Sequence, residues 1–275
     1  MLCLNTLNRN IPKKEQIALI KAAGFDGFFT LWQRGEDLSD IRKFADGVNM
    51  YFQSVHAPFL RVADMWRGGA AAEAALEELT ACLEETARAG VEIMVCHAWI
   101  GFYTGEKPTK GGVENYRRLV SRARELGVKV AFENTEGEEF LAALLEAFKD
   151  YDNVGFCLDT GHETCYNRDT DMLALYGDRL IATHINDNLG IKSREGIIAP
   201  TDDLHLLPFD GVKDWADFAH RMKLCEYGGA LTFELKLESH AGRHENDAYR
   251  AMPFEMYLSE AYERACRVAA LINNT

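Results

Sequence analysis

The chain has 275 residues, 47% of them apolar and 27% charged, which suits a globular protein with a substantial core, as one large domain or two small ones. A formal charge of −13 and an isoelectric point near 5.1 argue against a nucleic-acid partner, since phosphate backbones are held by basic faces, and the pairs Lys13–Lys14 and Arg117–Arg118 stand isolated. No apolar stretch reaches bilayer-spanning length and the opening MLCLNTLNRN lacks a signal peptide's charged and apolar regions, so a cytoplasmic protein with no membrane partner is expected.

The predicted elements alternate. A first strand, Leu2–Leu7, precedes a helix opened by Pro12, whose missing N–H would be unpaired at that position anyway. The helix ends in AAGFDG at Gly24, and a second strand, Gly27–Leu31, follows. The third strand is Met50–Val55. A helix ending in ARAGVE at Gly90 leads to the fourth, Val91–His97. A long segment, 98–112, carries Trp99, Phe102, Tyr103 and Pro108. The next helix shows an apolar stripe, Val113, Tyr116, Val120 and Ala123, at three- and four-residue spacing. It ends in ELGVKV at Gly127. Strands follow at Val128–Glu133, Val154–Leu158 and Leu180–Ile185. A second long segment, 186–211, precedes the last strand, Ala230–Leu235. Glycine at three helix ends supplies the left-handed cap a tight return requires.

These strands are continuous apolar runs, the pattern of a parallel sheet buried on both faces. Eight strand–helix units imply closure into one (β/α)8 TIM barrel over residues 1–275. No GxGxxG follows the first strand, which removes the main open-sheet alternative. The seven cysteines are odd in number and never spaced as CxxC. They read as reduced, mostly buried thiols.

Polar residues gather at the strand ends. His56 follows strand three, His97 ends strand four and Glu133 ends strand five. Asp159 and His162 follow strand six, His184 lies in strand seven and Glu234 near the end of strand eight. The loop after strand seven adds Asp203 and His205. A single such residue would be an ordinary loop or core residue. Six consecutive strands bring theirs to one rim, however, and that rim holds five of the eight histidines. Strand ends converge on the barrel axis, and crowded carboxylates repel unless a cation joins them. One divalent ion is expected, Mn²⁺, Zn²⁺, Co²⁺ or Fe²⁺ for a mixed N/O set and Mg²⁺ for its oxygens. The absence of cysteine from the set argues against a structural zinc.

The ordered motifs HAP, EN, LDTGH, HIND, DxHxxP and GxxDW resemble the xylose isomerase-like TIM-barrel superfamily over essentially the whole chain. Its members include sugar isomerases and epimerases, inosose dehydratases and endonuclease IV-type enzymes. The resemblance implies a metal held by Glu133, Asp159, His184 and Glu234. It implies Glu133 and Glu234 as the acid/base pair of an isomerase or epimerase that works on a sugar through an enediolate. It gives His162 a hydrogen bond to a sugar hydroxyl, and places His56, His97 and His205 along the sugar pocket. The nine residues His56, His97, Glu133, Asp159, His162, His184, Asp203, His205 and Glu234 also match the ligands of a trinuclear zinc phosphodiesterase, the alternative reading; an inosose dehydratase-like lyase is a third. Gly190 stands where the best-known ketose epimerases place an Arg, with Lys192 and Arg194 nearby.

Other residues invite a role. Trp99, Phe102 and Tyr103 are either an aromatic lid or loop packing, and Trp66 is similar. Asp187 either supports a ligand histidine or caps its loop. Lys236 points to the same side as Glu234 and would offset the carboxylates or bind an anionic substrate group. His240, Arg243 and His244 read as a solvated loop. A homodimer through the outer helices is the prior for such barrels.

Overall fold

A computed structural model describes residues 1–6, 10–102, 104–168 and 170–274. Its strands are β1 (Leu2–Asn5), β2 (Gly27–Leu31), β3 (Tyr51–His56), β4 (Ile93–His97), β5 (Lys129–Glu133), β6 (Val154–Asp159), β7 (Leu180–His184) and β8 (Leu231–Phe233). Sequence neighbours from β1 to β7 pair in parallel, and β1 also pairs with β8. Between β7 and β8 the ladder narrows to one bridge, Ile185 opposite Phe233. There Ile185 N–H donates to the Thr232 carbonyl at 2.8 Å, and Glu234 N–H donates to the Ile185 carbonyl at 3.2 Å. The sheet is thus a near-closed eight-stranded barrel of the expected class.

The main helices follow the strands in turn: α1 (Lys13–Ala23), α2 (Leu38–Gly47), α3 (Gly69–Arg88), α4 (Lys110–Glu125), α5 (Glu138–Ala147), α6 (Met172–Tyr176), α7 (Trp215–Leu224) and α8 (Phe254–Asn274). On α4 the expected stripe is buried at Tyr116, Val120 and Ala123, with Leu119 beside it. Gly24 ends α1 at φ 116°, and a Cβ there would come 2.7 Å from the Tyr262 ring of α8. Among the described residues no helix is long and apolar enough to cross a membrane. Leu7, the expected end of the first strand, lies outside the described residues. The last strand is shorter than expected because Leu235 leaves the ladder. Its N–H donates to Asn5 Oδ1 and its carbonyl accepts from Asn5 Nδ2, both at 3.0 Å.

The main core lies between sheet and helices. Inside the barrel sits a separate small cluster, Val95, Ala131, Cys157 and Ala182. Side chains two residues apart on a strand point the same way. The next inward layer on β4 to β7 is therefore His97, Glu133, Asp159 and His184. Small side chains form the floor, and the polar residues stand on it at the C-terminal rim.

Candidate metal centre

Glu133 is the hub. Its Oε2 lies 3.2 Å from His56 Nε2 and 3.4 Å from His97 Nε2. Its Oε1 lies 3.2 Å from His184 Nδ1 and 3.5 Å from His162 Nδ1. Glu234 reaches the same His184 Nδ1 at 3.0 Å, and its side chain is 21% exposed where that of Glu133 is fully buried. Donor atoms converge within 4.8 Å in the groups His56–His97–Glu133, Glu133–Asp159–His184–Glu234 and His162–Asp203–His205. The structure thus brings together all nine rim residues singled out in the sequence. Although no cysteine stands in the strand-end motifs, Cys157 Sγ falls within the same reach of Glu133 and His184. Burial, then the charges of Glu133 and Asp159, hold that thiol well above its ordinary pKa, so it stays protonated.

The ring geometry shows what the groups lack. A carbonyl only accepts, so the Nδ1–H of His56 donates to Ala57 O at 2.7 Å, that of His162 to Asn134 O at 2.8 Å and that of His205 to Glu234 O at 3.1 Å. Each ring then turns its Nε2 toward a carboxylate, with His162 3.5 Å and His205 2.8 Å from Asp203. A lone pair facing a carboxylate is tolerable only with a proton or a cation between them. Glu133 Oε2, His184 Nε2, His97 Nδ1 and Asp203 Oδ1 are also buried with no hydrogen-bond partner among the described residues. Such orphans are rare in native proteins and want an ion or water.

The electrostatics agree. Burial lowers the His184 pKa, but the carboxylates of Glu133 and Glu234 outweigh it and push it well above the ordinary histidine value. Burial raises the Glu133 carboxyl, but the charges of His184 and His97 pull it well below the usual range. Glu234, raised by burial and lowered more by His184 and His205, falls to about 2. Without a metal, a protonated His184 takes the cation's place between two carboxylates. The residues present therefore fit a divalent ion.

Neighbouring amides fix the ligands. Asn134 Oδ1 accepts from Asp159 N–H at 2.7 Å, and its Nδ2 donates to Asp159 O at 2.9 Å. Asn186 Nδ2 donates to Asp159 Oδ2 at 2.9 Å. Asp159 Oδ1 accepts the His162 N–H at 2.7 Å and so caps the short turn that aims His162 inward. Both asparagines lie in the EN and HIND motifs, but their supporting role needs contacts across strands that no local pattern reveals. Two further rings, outside every strand-end motif, line the site. Phe59 stacks on His97 at 5.0 Å, and Tyr166, carried by a π-helical turn over Glu163–Asn167, stacks on His162 at 5.1 Å.

The residues beyond these nine differ in what they touch. Trp99 is buried with its face stacked on Phe140 at 4.0 Å, so that face is closed to a ligand. Trp66 is likewise packed, its Nε1 donating to Ala98 O at 2.8 Å. Phe102 sets its edge against Tyr166, and Tyr103 lies outside the described residues. Asp187 caps its loop, accepting from the N–H groups of Asn188, Phe209 and Lys213 and from Trp215 Nε1. Lys236 turns to Asp203 rather than Glu234, with Nζ 3.1 Å from Oδ2. His240 and Arg243 are not free in solvent, for they donate to Asp203 O and Thr201 O; His244 is exposed beside Asp247.

Glu136 had no sequence signal. Its Oε1 accepts the Gly101 N–H at 2.5 Å, tying the loop after β5 to that after β4. Burial pushes its carboxyl up to about 7. A raised folded-state pKa means stability complete below the unfolded value near 4.5 and lost as pH rises through 7, by about 3 kcal/mol at most. Glu136→Gln is therefore expected to match the parent at pH 4 and exceed its stability by about 1–3 kcal/mol at pH 8. Urea unfolding at both values checks this, and equal stability at pH 8 would refute it.

Comparison with known proteins fits this picture. The model of a family described as "Xylose isomerase-like TIM barrel" matches residues 17–253. An uncharacterized protein, y4fM of Sinorhizobium fredii (strain NBRC 101917 / NGR234), is 34% identical over 142 residues, 50% of this chain and 42% of that one. A "probable endonuclease 4" of Oleidesulfovibrio alaskensis (strain ATCC BAA-1058 / DSM 17464 / G20) is 32% identical over 136 residues, 41% of this chain and 46% of that one. The matches thus span less than half the length of these curated relatives. A D-psicose 3-epimerase from Clostridium cellulolyticum H10 superposes with a TM-score of 0.73 over 99% of both chains at 16% identity. An IolI protein with a bound zinc atom superposes with a TM-score of 0.71 over 99% of this chain and 98% of that one at 18% identity. At these identities the structures speak for the fold alone.

Proposed function

The chain belongs to the xylose isomerase-like TIM-barrel family, and from that premise we propose that it is a divalent-metal-dependent isomerase or epimerase acting on a small sugar or sugar derivative. The observation that carries this reading is the approach of two carboxylates, Glu133 and Glu234, to one histidine nitrogen, at 3.2 and 3.0 Å. Glu133, Asp159, His184 and Glu234 would hold the ion. When bound, it supplies Lewis-acid polarisation of a carbonyl and its neighbouring hydroxyl.

The protein's own groups do the rest. Glu133 and Glu234 are the pair that removes and returns a proton at the carbon beside the carbonyl, and both are held ionised by the histidines around them. A general base acts within hydrogen-bond reach of the proton it takes, and with Val95, Ala131, Cys157 and Ala182 beneath the ligands a substrate would approach from the rim side. His162 and His205 face that side from the loops after β6 and β7 and would bind hydroxyls. His56 and His97 set the Glu133 carboxylate. The resemblance to a D-psicose 3-epimerase supports this reading.

A trinuclear zinc phosphodiesterase is favoured by a specific observation too, that three of the converging donor groups together take in all nine residues, together with the partial match to a probable endonuclease 4. The formal charge of −13 opposes it, because a polyanionic duplex would have to approach an acidic protein. The deciding experiment is a screen of ketoses and aldoses beside a duplex with an abasic site. Interconversion of sugars supports the isomerase; cleavage of the duplex with no sugar turnover would overturn it. Chelation should abolish turnover and Mn²⁺ or Co²⁺ restore it. It should also lower thermal stability, because an ion held at a thousand times its Kd adds about 4 kcal/mol. Unchanged activity after exhaustive chelation would defeat the metal-dependent reading.

A further inference from the structure

The three donor groups are not alike. Among the described residues no Lys or Arg forms an ion pair with Glu133, Asp159 or Glu234, whose ion-pair partners are histidines. The third group, His162–Asp203–His205, differs. Lys236 Nζ lies 3.1 Å from Asp203 Oδ2 and 3.2 Å from Asp203 O. Its side chain is 38% exposed, while that of Asp203 is 15% exposed. His240 donates to the same Asp203 carbonyl at 2.6 Å, so the backbone beneath the carboxylate is held as well.

We propose that the ammonium group of Lys236 is the resident cation of this third group and keeps a metal ion out of it, so that ions bind only around Glu133. This rests on the reading above that the Glu133 groups hold metal. The charge balance carries it. The Glu133–Asp159–His184–Glu234 group has three carboxylates and the His56–His97–Glu133 group has one, none offset by Lys or Arg. The third group has one carboxylate, and Lys236 already offsets it. A dication there would bind the same carboxylate as the ammonium and meet its charge at short range. Asp203 Oδ1 has no hydrogen-bond partner among the described residues and faces His162 Nε2 at 3.5 Å. Removing the ammonium would leave this group able to take an ion.

The test is zinc per chain, by elemental analysis after loading with Zn²⁺ and desalting. The parent protein should hold one or two ions. Asp203→Asn should hold the same number as the parent, Lys236→Met one more, and Lys236→Arg the same again. Circular dichroism confirms that each variant is folded, and the Asp203→Asn count decides the matter if Lys236→Met is not. Three ions in the parent, loss of one in Asp203→Asn, or no gain in folded Lys236→Met overturns the inference. No ion in the parent overturns both this inference and the metal-dependent function. One or two ions with no gain in Lys236→Met removes the inference alone.

Discussion

Glu133→Gln is expected to lower kcat by about 10³-fold or more on whichever sugar the enzyme turns over, with the barrel still folded. General acid–base groups contribute about 10²–10⁴-fold, and Glu133 is also a member of three converging groups of donor atoms. Glutamine keeps the volume in a fully buried position, so the loss reports charge and not packing. Glu234→Gln should lose a comparable factor, because its carboxylate meets the same His184 Nδ1 as Glu133. The two variants separate in deuterium oxide. If the carboxylates act on opposite faces of the substrate, the variant that keeps the working base still exchanges the substrate's α-hydrogen with solvent while failing to form product. Metal content is measured beside turnover, so that loss of the ion is not read as loss of the base. Full turnover in both variants would refute the assignment.

Much of this site is legible in the sequence because barrel geometry converts strand ends into neighbours. His97, Glu133, Asp159 and His184 each stand two residues beyond the small side chains Val95, Ala131, Cys157 and Ala182. Their convergence follows from the two-residue period of a strand. The three Gly-capped helix ends and the buried face of α4 are equally local signals. What local pattern does not carry is contact between loops distant in the chain. Lys236 chooses Asp203, 33 residues away, over Glu234 two positions before it. Glu136 finds Gly101 across 35 residues, and Asn5 ends β8 from 230 residues away. Trp99 turns its face to Phe140 instead of a ligand for the same reason. Aromatic character was visible there, but which side of the loop would be covered was not.

Glu163→Gln is expected to destabilise the fold by about 3 kcal/mol at neutral pH. Glu163 directly follows His162 and is 7% exposed, with Lys213 Nζ at 2.8 Å and Arg221 at 2.8 Å. Lys213 is just as buried, at 6%. Taking one partner from a buried ion pair costs about 3–5 kcal/mol, because the other charge stays in place uncompensated. Arg221 keeps Asp171 and Asp217, which puts the estimate at the lower end; among the described residues Lys213 keeps no carboxylate. The acid dependence gives an independent check. Burial raises the Glu163 carboxyl, but Lys213 and Arg221 pull it down to about 2. A depressed folded-state pKa contributes stability that is complete above the unfolded value near 4.5 and lost as pH falls toward 2, about 3 kcal/mol in all. Urea unfolding should therefore show the gap between the parent and Glu163→Gln shrinking from pH 7 to pH 3. A gap that stays constant over that range would mean the carboxylate's charge is not the cause. Glu136 titrates with the opposite sign although it is similarly buried, because no Lys or Arg is paired with it among the described residues, whereas Glu163 has two cations. The same network holds the turn that carries His162, so releasing Glu163 should also reduce turnover beyond what the loss of folded protein explains.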